Sequence, residues 1–464
     1  VSGFSSLNTA STALRAQQRA IDVTGQNVAN VNTDGYSRQR AELQSIGANT
    51  IPAIHSIGNG VGGGVTADQV SRIRDAFLES RAQVEHATSA RLTVESNTLT
   101  QVEDAFREPG TTGIQSMLAS MWSGFDAVSN APGNLAARSQ LLERAGTLAA
   151  GVRTTSATLE QQWDSTRESL QALVGDVNAA TDTISRLNEA IRSATQAGLP
   201  VNELSDQRDS LVLSLSDKIG ATSVPGEFGQ VNVLVGGTSL VSGSSSLALR
   251  LAGSASARGA AADPPQILTS PGNSILRVDG TAAGQLNALS TTLPHYLGEL
   301  DAFAGALAGA VNTQHRAGTD LDGVAGGDLF GSTDGTPLTA ANFGVAITDV
   351  RELAAASTPV ASLDNSNADA LSQLGSTRGL DASYRQVITA LGVNTAVSSR
   401  NVGIQAVITA QVDSDRESVS GVSLDEEMTN MLAYQHGYQA AARMVTTVDE
   451  MLDVLINRTG RVGL

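Results

Sequence analysis

Residues 424–455 read LDEEMTNMLAYQHGYQAAARMVTTVDEMLDVL, and the apolar positions in this stretch decide the fold class. Leu424, Met428, Met431, Tyr434, Tyr438, Ala441, Val445, Val448, Leu452 and Leu455 follow one another at steps of three or four. Nine steps cover 31 residues, a mean near 3.4, which suits a left-handed supercoil. At 1.5 Å per residue the stripe runs about 46 Å. Ser423, followed by Asp425, Glu426 and Glu427, supplies the N-cap and acidic first turn of a helix start.

A seam of that length needs a partner, and the other end of the chain offers one. Leu7, Leu14, Ile21 and Val28 stand seven apart, with Phe4, Ala10 and Val31 on adjoining positions. Gln17 and Thr24 occupy intervening seam positions, so this helix is marginal alone in water. It is predicted to end between Asn30 and Gly35, where Asn-Thr-Asp-Gly tolerates a left-handed C-cap. All eleven prolines lie between Pro52 and Pro359, leaving the first 51 and last 105 residues free to form long helices.

Between the ends, residues 75–220 read as helices carried by Leu141, Leu142, Leu148, Val152, Leu159, Leu170, Leu173, Val177, Ile184, Leu187 and Ile191. Breaks fall near Pro109, Pro132 and Gly198-Leu199-Pro200. From 221 to 281 short alternating runs such as Val231-Asn-Val-Leu-Val235, punctuated by glycines, indicate a β-rich insert. Helix returns from Ala283 to Gln314 and again after Asn365. The predicted fold is mainly α with a β-rich insert, elongated and multi-domain, with both termini at one end. Its terminal helices pair as a coiled coil (1–65 plus 421–464). A helical-bundle middle domain follows (66–220 plus 283–318 and 351–420), with a small outer β domain (221–282 plus 319–350).

Composition closes off several functions. There is no cysteine among the 464 residues, which removes disulfides, thiolate nucleophiles and cysteine-based metal centres. The formal net charge of -17 opposes nucleic acid, whose binding depends on counterion release by Lys and Arg. Lys218 is the sole lysine and is followed by Ile219, so there is no phosphate-binding P-loop. No apolar run reaches the length of a membrane span, and Val1 to Arg40 lacks a secretory signal pattern.

The remaining motifs are weak. Gly58-Asn-Gly60-Val-Gly62-Gly63 matches a dinucleotide fingerprint but is followed by what reads as extended chain, so a hairpin or loop is expected. Asp320 and Asp322 resemble a calcium loop without its bidentate acid, so a turn held by side-chain hydrogen bonds is expected instead. His55, His86, His295, His315 and His436 show no metal-ligand spacing. No cofactor, metal or catalytic residues are expected. The end stripes are therefore the functional signal: terminal helices that order on assembly, against each other and against neighbouring subunits.

The stretch Gly25-Gln-Asn27-Val-Ala-Asn30-Val-Asn32-Thr-Asp-Gly35-Tyr36-Ser-Arg38-Gln39 resembles the N-terminal signature of bacterial flagellar axial proteins, the family of rod, hook and hook-associated subunits. Four further segments resemble its hook-associated branch. They are Asn202-Glu-Leu204-Ser-Asp206-Gln207-Arg208-Asp209-Ser-Leu211-Val212, Val311-Asn312-Thr-Gln-His315-Arg-Ala-Gly318-Thr-Asp320-Leu-Asp-Gly323, Leu363-Asp-Asn365-Ser-Asn367-Ala368, and Ser420-Gly421-Val422-Ser-Leu424-Asp425-Glu426-Glu427-Met428. Within the signature, Gly35 is expected to take a positive φ, Asn27 and Asn30 to bond backbone, and Tyr36 and Arg38 to pack and pair.

The resemblance implies a non-enzymatic subunit of the hook–filament junction, exported unfolded through the flagellar type III channel to the extracellular flagellum. Implied partners are copies of itself in a ring, the hook subunit, the second junction protein, and an export chaperone at the C-terminal helix. Nucleic acid and membrane insertion are not implied. Leu7, Leu14, Ile21, Val28, Leu424, Met428, Met431, Tyr434, Tyr438, Val445, Val448, Leu452 and Leu455 become the expected assembly interface. Longer members carry a further β domain after Phe330, where this chain has only about 15 residues before Val345. Alternatives are another axial subunit, or a flagellum-borne secreted adhesin that uses the insert.

Overall fold

The computed structural model describes residues 2–47, 62–358 and 364–454. Leu455, His55 and Gly58 to Gly60 lie outside the described residues. Helix α1 spans Ser2–Ala29, and the hairpin strands β1 (Gln39–Ile46) and β2 (Gly64–Arg72) follow it. Four helices come next: α2 (Ala76–Phe106), α3 (Ile114–Asn130), α4 (Leu135–Gln196) and α5 (Asn202–Ile219). The breaks fall at the three proline-bearing places read from the sequence.

The middle is organised around α4, whose 62 residues reach about 93 Å at the standard rise. Asn134 caps it, accepting from the amides of Ala136 and Ala137. Its apolar positions repeat at three and four, and Leu141, Leu148, Val152, Leu159, Trp163, Leu170, Val177, Ile184 and Ile191 are fully buried against neighbouring elements.

The β-rich stretch clips onto the far half of α4. Strands β3 (Thr222–Pro225), β4 (Val231–Val235), β5 (Thr238–Ser242) and β6 (Ser245–Ser246) form one antiparallel sheet. Strands β7 (Ala248–Ala252) and β8 (Gln266–Ser270) form another. Asn188 donates to the carbonyls of Val231 and Gly243 at 2.7 Å each and accepts from the Val231 amide. Asn178 treats Leu249 in the same way. A carboxamide both donates and accepts, so each asparagine stands in for a missing neighbour strand.

Helix α6 (Gly280–Asn287) runs through a π turn at Ala288–Thr292 into α7 (Leu293–Arg316). Trp163 donates its indole N–H to the Leu289 carbonyl at 2.8 Å inside that turn. Strands β9 (Phe330–Ser332) and β10 (Phe343–Val345) pair directly, Phe330 opposite Val345, so the chain closes on itself in register at this point. Asn312 holds β9 down, accepting from the Leu329 and Phe330 amides and donating to the Phe330 carbonyl. Asp320 accepts from the amides of Asp322 and Val324, so the candidate calcium loop is a turn held by that carboxylate.

The short helices α8 (Ser366–Ser372) and α9 (Leu374–Thr377) lead into α10 (Leu380–Ser420) and α11 (Leu424–Asp453). Helix α10 lies antiparallel on α2: Glu79 meets Arg416, while Tyr384 reaches Glu108 at the other end. Ser423 occupies the N-cap of α11 as predicted, but its side chain caps nothing.

Candidate assembly site

Helices α1 and α11 pack antiparallel, because Asn27 meets Glu427 while Gln17 lies over Gly437. A Cβ at position 437 would stand 2.9 Å from the Gln17 amide carbon, so Gly437 leaves the room that this polar seam residue needs. Tyr434 and Val70 both pack against the cluster of Ala20, Val23 and Ala41, tying the helix pair to the hairpin.

The predicted stripe on α11 divides by burial in the free chain. Ala441 and Val448 are buried, and Met431, Tyr434, Tyr438, Val445 and Leu452 are partly buried. Leu424 and Met428 are 48% and 63% exposed. Between them the buried position is taken by Glu427, 2% exposed, because the first turn of α11 faces the chain segment after α1. On α1, Leu7, Leu14, Ile21 and Val28 are all only partly buried. The fully buried positions are Ala10, Ala16, Ala20, Val23, Thr24 and Asn27, small or polar residues that serve two neighbours, α11 and the hairpin.

The signature residues form the joint beneath this pair. Asn27, 1% exposed, donates to the Gln39 carbonyl at 2.8 Å and to Glu427 at 3.0 Å. Its oxygen accepts from the Gln39 amide and from the Tyr36 hydroxyl, both at 2.9 Å. Asn30 bonds the Gln26 carbonyl at 3.0 Å, and Gly35 adopts φ +76°. Asn32 is exposed on the rim. Arg38 pairs with Glu427 at 2.8 Å and Glu426 at 2.6 Å, and its amide donates to the Ser420 carbonyl.

From Arg38 the charges continue into the middle bundle. The Ser37 amide and Arg72 both reach Asp206. Arg72 and Arg74 share Asp209. Arg74 and Arg416 share Glu79, Arg416 pairs with Asp413, and His86 bridges Asp413 and Asp217 at 3.1 Å each. Hydrogen bonds and ion pairs together link α1, β2, α2, α5, α10 and α11 around a groove of about 840 Å³.

Electrostatics follow the packing. Burial, with Asp206, Glu203 and Glu427 nearby, pushes the Tyr36 hydroxyl up to about 12. Burial also dominates at Arg208, with Arg72 and Arg74 adding repulsion, and lowers it to about 10. Burial works against the charge on Arg38, but hydrogen bonds to Glu426 and Glu427 raise it overall. A hydrogen bond to Asp217 leads in raising His86 to about 9 against burial, with Asp413 adding to it. These groups are committed to one another, and the arrangement acts mechanically: it fixes the terminal pair to the bundle.

Glu427, Gln39, Asp206, Asp209 and Arg72 were not among the predicted site residues. Their side-chain partners lie more than a hundred positions away, except for the Asn27–Gln39 and Arg208–Asp209 contacts. The signal available was the resemblance itself, whose motifs contain Gln39, Asp206, Asp209 and Glu427. Among the described residues, no cluster of three potential metal ligands occurs, and no helix is long and apolar enough to cross a membrane.

Comparison with known proteins gives three family matches. Residues 99–330 match the flagellar hook-associated protein FlgK helical domain, residues 7–36 the flagella basal body rod protein family, and residues 415–458 the C-terminal region of basal body rod FlgEFG proteins. The chain is 30% identical to flagellar hook-associated protein 1 of Bacillus subtilis, covering 100% of this chain and 99% of that protein. It is 26% identical to the Escherichia coli protein of the same name, covering 97% and 99%. That alignment runs over 559 positions, longer than this whole chain, so the relative carries insertions absent here. The solved structure of the flagellar hook junction protein FlgK from Burkholderia pseudomallei superposes with a TM-score of 0.65 at 18% identity, over 74% of this chain and 100% of that one.

Proposed function

This chain belongs to the flagellar hook-associated protein 1 family, and on that premise we propose that it is a structural subunit of the hook–filament junction that assembles through its terminal helices. The likeness to a rod protein, flagellar basal-body rod protein FlgG of Caulobacter vibrioides, covers 15% of the chain, against full-length likeness to hook-associated protein 1. The observation that carries the mechanism is the state of α11. It pairs with α1 and still leaves Met428, Leu432, Met444 and Met451 at least half exposed. Burying such side chains is worth roughly 1.5–3 kcal/mol each, so this is a latent interface.

In this reading the stripe residues left open, Leu7, Leu14, Ile21 and Val28 on α1 and Leu424, Met428, Met431, Tyr438, Val445 and Leu452 on α11, seat against neighbouring subunits, while the buried Val448 and the packed Tyr434 hold the pair together. The groups around Asn27, Tyr36 and Arg38 fix the angle at which the pair leaves the bundle. The partners are copies of this chain in a ring, the hook subunit and the second junction protein, with an export chaperone covering α11 before secretion through the type III channel. The protein is a building block and not an enzyme. We keep as a proposal its division into a terminal unit, a helical middle and an outer β insert, with two boundaries moved. The first boundary at residue 65 cuts β2, so it sits better in the turn after Arg72. The one at residue 282 cuts α6 and sits better before Gly280.

The test is filament attachment in cells lacking this chain. Detached filament protein in the medium, restored to the cell by the full chain, is the expected outcome. Normal attached filaments in the deletion strain would overturn the proposal.

A further inference from the structure

Helix α10 is apolar on two faces and covered on one. Among its 41 residues, Leu380, Tyr384, Leu391, Gln405 and Val412 are buried against the bundle. On the far side Val393, Val397, Ile404 and Val407 are 57%, 45%, 55% and 70% exposed, at steps of three, four and seven that keep them on one face. Arg400 fills the gap in that stripe and is exposed. The large apolar residues of α4, by contrast, are nearly all inside. A soluble helix with its outer face built this way is designed to be covered on both sides.

We propose that the outer face of α10, centred on Ile404 and Val407, is a lateral contact with a second copy of this chain. This rests on the reading that the chain assembles into a junction of identical subunits. Charge selects the occupant. Two copies of a chain with net charge -17 repel one another over most of their surfaces. The 31 residues Ala382–Val412 contain no Asp or Glu and carry Arg385 and Arg400. A neutral-to-basic strip is where one acidic copy can approach another, and a charge-poor centre with an arginine is the composition of an interface core. The strip also lies outside residues 415–458, the segment that matches the C-terminal region of basal body rod FlgEFG proteins. A separate groove of about 430 Å³ between α7 and α10 mixes Tyr296, Phe303 and Val387 with Glu299, Gln386 and Asn394, so the apolar strip is confined to the outer face itself.

A ring of identical subunits joined this way uses a head-to-tail contact, so position 407 of one copy faces a different position of the next. The test is therefore photo-crosslinking from Val407→p-benzoylphenylalanine in full-length chain made by flagellated cells, read on isolated hook–filament complexes. A ladder at multiples of this chain's mass is expected. The chain present in the complexes with no adduct, or with adducts only to a different flagellar protein, would overturn the lateral contact while leaving the junction role intact. Absence of the chain from hook–filament complexes would overturn both.

Val407→Asp provides the second arm. The site is exposed, so the thermal transition of the purified variant should match the parent. Its incorporation should fall about tenfold or more, the scale of setting a carboxylate against an apolar face. Wild-type incorporation of that folded variant would overturn the proposal, and Val407→Leu should restore the parent level.

Discussion

Along α4, Leu148, Leu159, Trp163 and Leu170 have no exposed surface, whereas along α1 the large residues Leu7, Leu14, Ile21 and Val28 are each left partly open. Both helices carry apolar residues at helical spacing, and the difference lies in the number of neighbours. Helix α4 is packed by α3, α5, α7 and strands of the insert, while α1 has α11 and one hairpin. The middle thus completes its own core. The terminal pair spends its closest approach on alanines and on a buried hydrogen-bonded cluster, and keeps its larger side chains at the margin.

The strongest way to break that comparison is to damage the self-contained half. Trp163→Ala removes a fully buried side chain and the indole bond to the Leu289 carbonyl, and should cost about 3–5 kcal/mol in denaturant unfolding. A loss under about 1 kcal/mol would mean that the core around α4 collapses to fill the space, and the contrast with α1 would fail.

Next in size is the joint. Arg38→Ala leaves the Glu427 carboxylate, 2% exposed, with Asn27 as its remaining donor. Stranding a buried charge costs roughly 3 kcal/mol, here borne by the terminal pair. Hydrogen exchange should show the first turns of α11 opening while the amides of α4 keep their protection. Equal loss of protection in both would show that the joint is part of one cooperative core.

This division also explains what was legible in the sequence. The α4 pattern could be read because large residues at helical spacing have one physical use, and the breaks at Pro109, Pro132 and Gly198-Leu199-Pro200 announce themselves locally. The direction of the α11 seam could be read for the same reason. Leu424 and Met428 stay exposed because the first turn of α11 meets Arg38 and Asn27, some 400 positions earlier, and a buried Glu427 is what those partners require. Nothing in the local spacing around Glu427 marks it as interior. The roles of Ala10, Ala16 and Ala20 were equally hidden, since an alanine is compatible with exposure and with close helix approach alike.

Two histidines sharpen the comparison through pH, with opposite signs. His86 at the joint is raised to about 9, so its contribution is fully present below its ordinary value near 6.5 and is lost as pH climbs through about 9. His315 is buried, its Nδ1–H donates to the Gly327 carbonyl at 2.7 Å, and Nε2 accepts from the Ala354 amide at 2.9 Å. Burial lowers its pKa, so its contribution is present above about 6.5 and is lost as pH falls below that value. His86→Gln should flatten the alkaline limb of a stability–pH curve and leave the acid limb. Loss of both limbs together would show that the joint and the loop above β9 are coupled.

The smallest expected effect on stability carries the most weight for function. Leu452 is partly buried near the end of α11, at the margin of a helix pair whose core is small residues. Leu452→Asp should therefore leave the unfolding transition of the helical middle within about 0.5 kcal/mol of the parent. In dilute monomer, amides from Leu7 to Val28 should exchange faster than those of α4, since partly covered helices open first. In cells the same variant should fail to enter the flagellum, because the residue's value lies in the surface it presents to a neighbour. Normal filaments on the variant, or α1 protection equal to that of α4 in the free chain, would show that the terminal pair is finished as folded and needs no assembly to complete it.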